Sequence, residues 1–95
     1  MSSRRDLPNR RGNRGCNFDH GNLCHHLTFS RFPDGKLAEI FLSCSKAGSA
    51  AEQYADTAAI LTSLLLQYGV PAEVIRHAVR GSAVAVALEL AEGGP

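Results

Sequence analysis

The chain has 95 residues, a formal net charge of +1, and 44% hydrophobic residues. Chains of about 100 residues seldom divide into two hydrophobic cores, so this length predicts one small domain and not a large multidomain enzyme. No apolar run approaches the roughly 18 residues that a membrane-spanning helix needs, and no secretory signal pattern precedes the domain. We therefore expect a soluble, cytoplasmic protein whose three cysteines are reduced thiols or metal ligands rather than disulfides.

The N-terminal segment is basic and poor in apolar side chains, because residues 1–14 combine five arginines with Ser, Pro, Asn and Gly. Such a segment cannot bury enough apolar surface to offset the entropy lost on ordering. We predict a disordered basic tail over residues 1–22, of which 16–22 could form a short edge strand, and a folded domain over residues 23–92. The tail is either simply solvated or binds nucleic-acid phosphates without sequence preference. Its arginines are Arg4, Arg5, Arg10, Arg11 and Arg14.

Two β-prone runs, residues 23–32 and 37–42, flank a turn that contains a Pro-Asp-Gly sequence. Gly35 accepts the positive φ that closes such a turn, so the runs are typical of a hairpin. A weaker turn at Gly21-Asn22 predicts a further short strand over Asn17–His20. Together these signals predict an antiparallel meander of two or three strands.

From Ser49 onward the apolar period changes from two residues to about 3.6, which indicates a helix. Ser49 and Glu52 have the spacing of a capping box at its start, and Gly69 ends it. An apolar stripe on such a helix is typical of the side that faces the core. The stripe consists of Tyr54, Ala58, Leu61, Leu65 and Tyr68, and the mostly opposite polar side carries Gln53, Asp56, Ser63 and Gln67.

Two shorter helices are predicted beyond Gly69. Pro71 suits the first position of a helix over Ala72–Arg80. The segment Ser82–Ala91 alternates in strand fashion, but its alanines favour a helix. The predicted fold class is therefore α+β, with a two- to three-stranded antiparallel meander followed by two or three helices packed on one face. Phe41 alternates toward the open face of that sheet, where a homodimer partner or another protein would cover it.

Cysteine and histidine are concentrated between residues 16 and 26, with the spacing Cys-x3-His-x3-Cys-His-His. Two thiolates and two imidazoles can close a tetrahedral zinc site. The candidate ligands are Cys16, His20, Cys24 and His26. However, established zinc patterns use two tight cysteine pairs, and the sequence has one cluster. The competing interpretation is buried small cysteines with surface histidines.

The loop that leads into the first predicted helix is an anion-binding candidate. Backbone N–H groups at a helix N-terminus, with a nearby lysine, can hold a phosphate. The candidate residues are Lys46, Ala47, Gly48 and Ser49. The competing interpretation is a plain strand-to-helix connection. Cys24 or Cys44 would be a nucleophile only if a helix N-terminus or a neighbouring cation activated the thiol, and Lys46 and the following helix could do so for Cys44. A small apolar residue is the alternative.

Four stretches occur together in the order and spacing of a known family. They are residues 35–42 (Gly-Lys-Leu-Ala-Glu-Ile-Phe-Leu), Lys46-Ala47-Gly48, Leu61–Leu66, and residues 69–75 (Gly-Val-Pro-Ala-Glu-Val-Ile). From Leu23 to Leu90 the chain resembles the TSCPD domain. That domain is found near the C-terminus of adenosylcobalamin-dependent ribonucleotide reductases and in many short stand-alone proteins.

The resemblance implies an α+β domain without a reductase centre of its own, and no catalytic residue carries over to this sequence. The family takes its name from a Thr-Ser-Cys-Pro-Asp stretch, where this chain has Gly81-Ser82-Ala83-Val84. The metal binding suggested for cysteine-rich members therefore gains no support from the resemblance.

The resemblance implies a small, non-catalytic accessory or regulatory binding module linked to deoxyribonucleotide synthesis. Its expected partner is a ribonucleotide reductase subunit or a second copy of the chain, and no cofactor is expected apart from the zinc alternative. Two other functions stay open. One is a zinc-stabilised interaction domain, and the other is an accessory protein that binds nucleic acid through the basic tail.

Overall fold

The computed structural model describes residues 3–5, 13–46 and 48–93. Three strands come first in the chain and three helices follow, which confirms the predicted α+β class. The elements are β1 (Arg14–His20), β2 (Leu23–Arg31), β3 (Leu37–Cys44), α1 (Ala50–Gln67), α2 (Ala72–Ala78) and α3 (Ala83–Ala91). None of the helices in the described ranges has the length and apolar character needed to cross a membrane.

The sheet is a three-stranded antiparallel meander in the order β1-β2-β3. The first connection is a two-residue turn in which Gly21 and Asn22 both have positive φ, of 60° and 64°, as a tight hairpin turn requires. Gly35, with φ 92°, closes the second turn. β1 begins at Arg14, three residues before the predicted edge strand, so the sheet extends into the segment assigned to the basic tail.

One face of the sheet forms the core with the helices. Leu27 and Leu42 are cross-strand neighbours on this face, as are Phe29 and Ile40. Leu27, Ile40 and Leu88 of α3 have no exposed surface. Phe41 points to the opposite face and is 46% exposed, because successive residues of a strand alternate between the two faces.

The helix boundaries follow the capping signals in the sequence. The Ser49 hydroxyl accepts a hydrogen bond from the Glu52 N–H at 3.2 Å and so caps α1. At the other end, the N–H groups of Gly69 and Val70 donate to the carbonyls of Leu66 and Leu65, both at 3.0 Å, as in a Schellman motif.

The last two helices also form where the sequence indicates them. Pro71 occupies the N-cap of α2, one position before the predicted one, and α2 ends at Ala78 instead of Arg80. Ser82 caps α3 by accepting from the Ala85 N–H. The helix predicted for the C-terminal segment is thereby confirmed.

The orientation of α1 is opposite to the one its apolar stripe predicts, so that prediction was wrong. Tyr54 is 75% exposed, Leu61 57%, Leu65 45% and Tyr68 41%, and only Ala58 of the predicted stripe packs against the core. The buried face instead carries small, polar and a few apolar residues: Ala55, Ala59, Thr62, Ser63, Leu66 and Gln67.

The free edge of β3 explains this orientation, because α1 runs beside it and must satisfy its backbone groups. The Ser63 hydroxyl accepts from the Ile40 N–H at 3.0 Å and lies 2.9 Å from the Ile40 carbonyl, to which it donates. Gln67 donates through its side-chain amide to the Ala38 carbonyl at 3.2 Å. These two side chains therefore take the place of a neighbouring strand.

Candidate functional site

The four candidate zinc ligands lie on two different faces of the β1-β2 hairpin. Cys16 pairs with the fully buried Leu27 on the face toward the helices. Cys24 and His26 are exposed on the opposite face, as the alternation of a strand requires. The side chains of the two cysteines therefore diverge. Within residues 3–5, 13–46 and 48–93, no group of three or more Cys, His, Asp or Glu side chains is arranged to hold a metal ion.

The histidines of this hairpin have other contacts. His26 Nδ1 lies 2.6 Å from the Asn17 side-chain oxygen on the exposed face. His20 Nε2 donates to the Gly81 carbonyl at 2.9 Å, which joins the end of β1 to the turn before α3. These bonds position the two rings separately instead of directing them toward a shared centre.

His25 belongs to the Cys/His cluster of the sequence but not to the four candidate ligands, and it is a core residue. It is 4% exposed and stacks on Phe18, with ring centroids 5.2 Å apart. Its Nδ1 has no hydrogen-bond partner in the described part of the chain. Buried Cys44 is its cross-strand neighbour. The expected surface histidine is thus buried at this position, while the small buried cysteine is found at Cys44.

The loop over residues 46–49 already binds a carboxylate of the chain itself, that of Glu52 in the first turn of α1. The Gly48 N–H donates to the Glu52 carboxylate at 3.0 Å. The Ser49 hydroxyl donates to the Lys46 carbonyl at 2.5 Å and caps the helix as described above. Ala47, the remaining candidate, lies outside the described residues. The anion site stays a prediction, and an external phosphate would have to displace the Glu52 carboxylate.

A groove of about 500 Å³ lies between this loop and β3. Glu52 and Asp56 line it, together with Leu42, Ser43, Gly48, Ser49 and Gln53. The two carboxylates beside the loop repel an anion and so offset the attraction that Lys46 would provide. The groove is therefore better suited to a positively charged group.

The N-terminal arginines in the described region contact the folded domain. The Arg5 guanidinium stacks over Phe32, 3.9 Å from the ring centroid, and Nη1 pairs with the Asp34 carboxylate at 2.8 Å. Its backbone N–H donates to the Gln67 carbonyl at 2.7 Å. Arg4 Nε donates to the Gln67 side-chain oxygen at 2.6 Å. Both arginines are therefore tied to the C-terminal end of α1.

Asp34 connects this N-terminal contact to the second hairpin turn. The backbone N–H of Lys36 donates to its carboxylate at 3.0 Å, and this bond, followed by the Arg5 side chain, lowers the pKa of Asp34 from its ordinary value of 3.8. Arg5 also borders a groove of about 510 Å³ between the hairpin turn and the loop after α1, whose apolar wall includes Phe32, Leu37 and Val70.

Three of the five tail arginines can thus be placed. Arg4 and Arg5 bind within the domain, and Arg14 is exposed at the start of β1. Arg10 and Arg11 lie outside the described residues. Binding of nucleic acid by the tail stays a prediction, and two of its proposed phosphate contacts would compete with Gln67 and Asp34.

An antiparallel meander whose one face forms a common core with three helices defines a small α+β domain. The sequence comparisons identify the family. Residues 2–92 match the family model of the TSCPD domain. The chain belongs to the TSCPD domain family. The match begins well before Leu23, where the resemblance noted in the sequence began, and it includes β1.

The curated relatives are much longer than this chain. The vitamin B12-dependent ribonucleotide reductase of Streptantibioticus cattleyicolor is 39% identical over 70 residues, which are 74% of this chain and 12% of that protein. The corresponding protein of Streptomyces clavuligerus shows 39% identity over 70 residues, 7% of its length. That of Agrobacterium fabrum shows 40% over 70 residues, 6% of its length. No solved structure matches the chain.

Proposed function

We propose that this chain is a non-catalytic accessory or regulatory module that binds a ribonucleotide reductase and thereby acts in deoxyribonucleotide synthesis. The observation that carries the proposal is the match of 70 residues, 74% of this chain, to 6–12% of vitamin B12-dependent reductases. A domain that is a covalent part of a large protein is held near its neighbours at high effective concentration. When the same domain is a separate chain, the surfaces that would contact those neighbouring domains are free to bind the reductase from outside.

The exposed face of the sheet supports the binding role. Phe41 is 46% exposed there, opposite Thr28 of β2, and the neighbouring positions Asn17, His26 and Ser43 are polar. An aromatic side chain within a polar rim is the arrangement that anchors many protein interfaces. Lys46 and Ser49, at the start of α1, supply a second, polar contact region.

The direct test is binding between the purified chain and the purified reductase of the same cell, measured by biolayer interferometry. We expect a dissociation constant in the micromolar range or below, and at least a tenfold loss in the Phe41→Glu variant. Val74→Glu is the matched control, because Val74 is 53% exposed on α2, away from the sheet face. Absence of binding at about 100 µM chain would contradict the proposal.

A turnover assay separates the accessory role from catalysis. Incubated with ribonucleotides and a reductant, the chain alone is expected to form no deoxyribonucleotide. Added to the reductase at saturating concentration, it is expected to change kcat or KM. Product formed by the chain alone would overturn the non-catalytic assignment, while binding without any kinetic effect would remove the regulatory part.

A further inference from the structure

The side of α1 that faces away from the core carries large apolar side chains instead of charged ones. We define the outer stripe as Tyr54, Leu61, Leu65 and Tyr68, which are between 41% and 75% exposed. Their spacing of seven, four and three residues places them on one line along the helix. The buried residues Ala59 and Ser63 lie on the opposite side. The line from Tyr54 to Tyr68 is therefore mainly apolar toward solvent, with the exposed Thr57 between its first two members.

The chemistry of the outer stripe is that of an interface. A solvent-facing helix ordinarily displays Lys, Glu and Arg, yet no charged residue occurs between Asp56 and Glu73. Tyrosine is enriched and charge is depleted at the centre of protein interfaces. The outer stripe combines both features on a rigid helix, which needs no ordering before it binds.

The size of the outer stripe fits a small helix-to-helix interface. An 18-residue helix is about 27 Å long, and the exposed parts of the four side chains amount to roughly 400 Å². A standard interface buries about 800 Å² on each partner, of which the apolar centre is only a part. The exposed Thr57 and the partly buried Leu64 flank the outer stripe on the same side of the helix and enlarge the contact.

The symmetry of the outer stripe indicates what covers it. Tyr54 and Tyr68 lie seven residues to either side of Leu61. If two α1 helices pair antiparallel across a two-fold axis at Leu61, each Tyr54 meets the Tyr68 of the other copy and the two Leu61 side chains meet at the centre. Leu65 then lies opposite Thr57 of the other copy. Such self-complementarity is what an isologous dimer requires, and the absence of charge removes like-charge repulsion across the axis.

We propose that two copies of this chain form an antiparallel homodimer through the outer stripe of α1. This surface is separate from the sheet face around Phe41, on which the proposed reductase contact depends. The proposal of the dimer and the proposal of the reductase complex can therefore be tested independently.

The oligomeric state of the full chain gives the first test. Light scattering coupled to size exclusion is expected to show twice the 10.2 kDa chain mass at high concentration and a return to one chain mass on dilution. Leu61→Glu, which places a charge at the axis, is expected to give the single mass throughout. The matched control Val74→Glu introduces the same charge at an equally exposed site on α2 and is expected to leave the dimer intact.

A cross-linking experiment tests the geometry without depending on a charged variant. In a Cys24→Ser background, which removes the exposed native thiol, Leu61→Cys is expected to form a covalent dimer under mild oxidation. Val74→Cys is the control and is expected to stay largely uncross-linked. Single mass for the unmodified chain at about 1 mM, the upper end of weak association, would overturn the proposal. An unchanged dimer in Leu61→Glu, or equal cross-linking of both cysteine variants, would also overturn it.

Discussion

The two sides of α1 differ in a way that reverses the usual rule for a surface helix. The inner side, against β3, is built from alanine, serine, threonine and glutamine with a single leucine, Leu66. The outer side carries two tyrosines and two leucines at 41–75% exposure. Small and polar residues are buried inside while large apolar residues face outward.

This difference shows that close approach, and not apolar area alone, determines which side of a helix is buried. Ala59 is only 1% exposed, and its methyl group lets the helix axis come near the sheet. At that distance Ser63 and Gln67 reach the backbone of β3 and bond to it. A buried polar group whose bonds are satisfied costs little, whereas an unpaired strand edge would cost several hydrogen bonds.

The largest expected difference is between two adjacent leucines of α1. Leu66 is 6% exposed and Leu65 is 45% exposed. Leu66→Ala leaves a cavity in the core and is expected to lower the free energy of unfolding by about 2–5 kcal/mol. Leu65→Ala is expected to change it by about 0.5 kcal/mol or less in the monomer. Urea denaturation at low protein concentration measures both, and equal losses would mean that the two sides have been assigned wrongly.

A sharper test of the inner side removes one oxygen atom. Ser63→Ala leaves the buried Ile40 N–H without the partner that it has at 3.0 Å, at an expected cost of about 1–3 kcal/mol. Thr57→Ala, at an exposed position of the same helix, is the control and is expected to be near neutral at a protein concentration low enough to keep the chain monomeric. If both substitutions leave the urea midpoint unchanged, Ser63 does not serve the strand edge.

Substitution of the capping serines measures how much the first turn of a helix contributes to the stability of the fold. Ser49→Ala removes the hydroxyl that accepts from Glu52 and is expected to cost about 1 kcal/mol. Ser82→Ala should have a similar effect on α3, where the hydroxyl accepts from Ala85. Thermal unfolding is the measurement. Ser45→Ala, at an exposed position before the helix, should leave the midpoint within experimental error of the unmodified chain.

The smallest effect concerns the N-terminal contact at the far end of α1. The pKa of Asp34 is lowered from 3.8 in the folded state, so its ionised form stabilises the fold at neutral pH. That contribution is fully present above the pKa that Asp34 has in the unfolded chain, about 3.8. It is lost as the pH falls through the lower pKa that Asp34 has in the folded chain.

Asp34→Asn is therefore expected to lower the melting temperature slightly at pH 7, and the difference should disappear on acidification below pH 3.8. The carboxylate is exposed, so added salt should weaken the effect as well. If the difference in melting temperature between the variant and the unmodified chain grew toward acid pH, the pKa of Asp34 would not be lowered in the folded state. Arg5→Ala removes the ion pair and leaves the bond from Lys36, so the pH-dependent part of the change is expected to be smaller there, while the lost stacking on Phe32 adds a part that does not depend on pH.

The proposed zinc cluster shows why proximity in the sequence did not become proximity in space. Cys16 and Cys24 are eight residues apart, but the turn at Gly21-Asn22 sets a register in which Cys16 faces Leu27 and Cys24 faces Asp19. A change of one residue in that register would have moved one cysteine to the other face. The register depends on how the turn closes, which the cysteine spacing does not encode.

Local signals in the chain are enough to locate each helix and hairpin turn, because these signals act over a few neighbouring residues. Ser49, Gly69 and Ser82 mark helix ends through bonds to their own turns, and Gly35 closes a hairpin through its own φ. The side of α1 that is buried, in contrast, follows from long-range packing. That choice depends on the edge of β3, whose backbone groups meet Ser63 and Gln67 from 23 and 29 residues away along the chain.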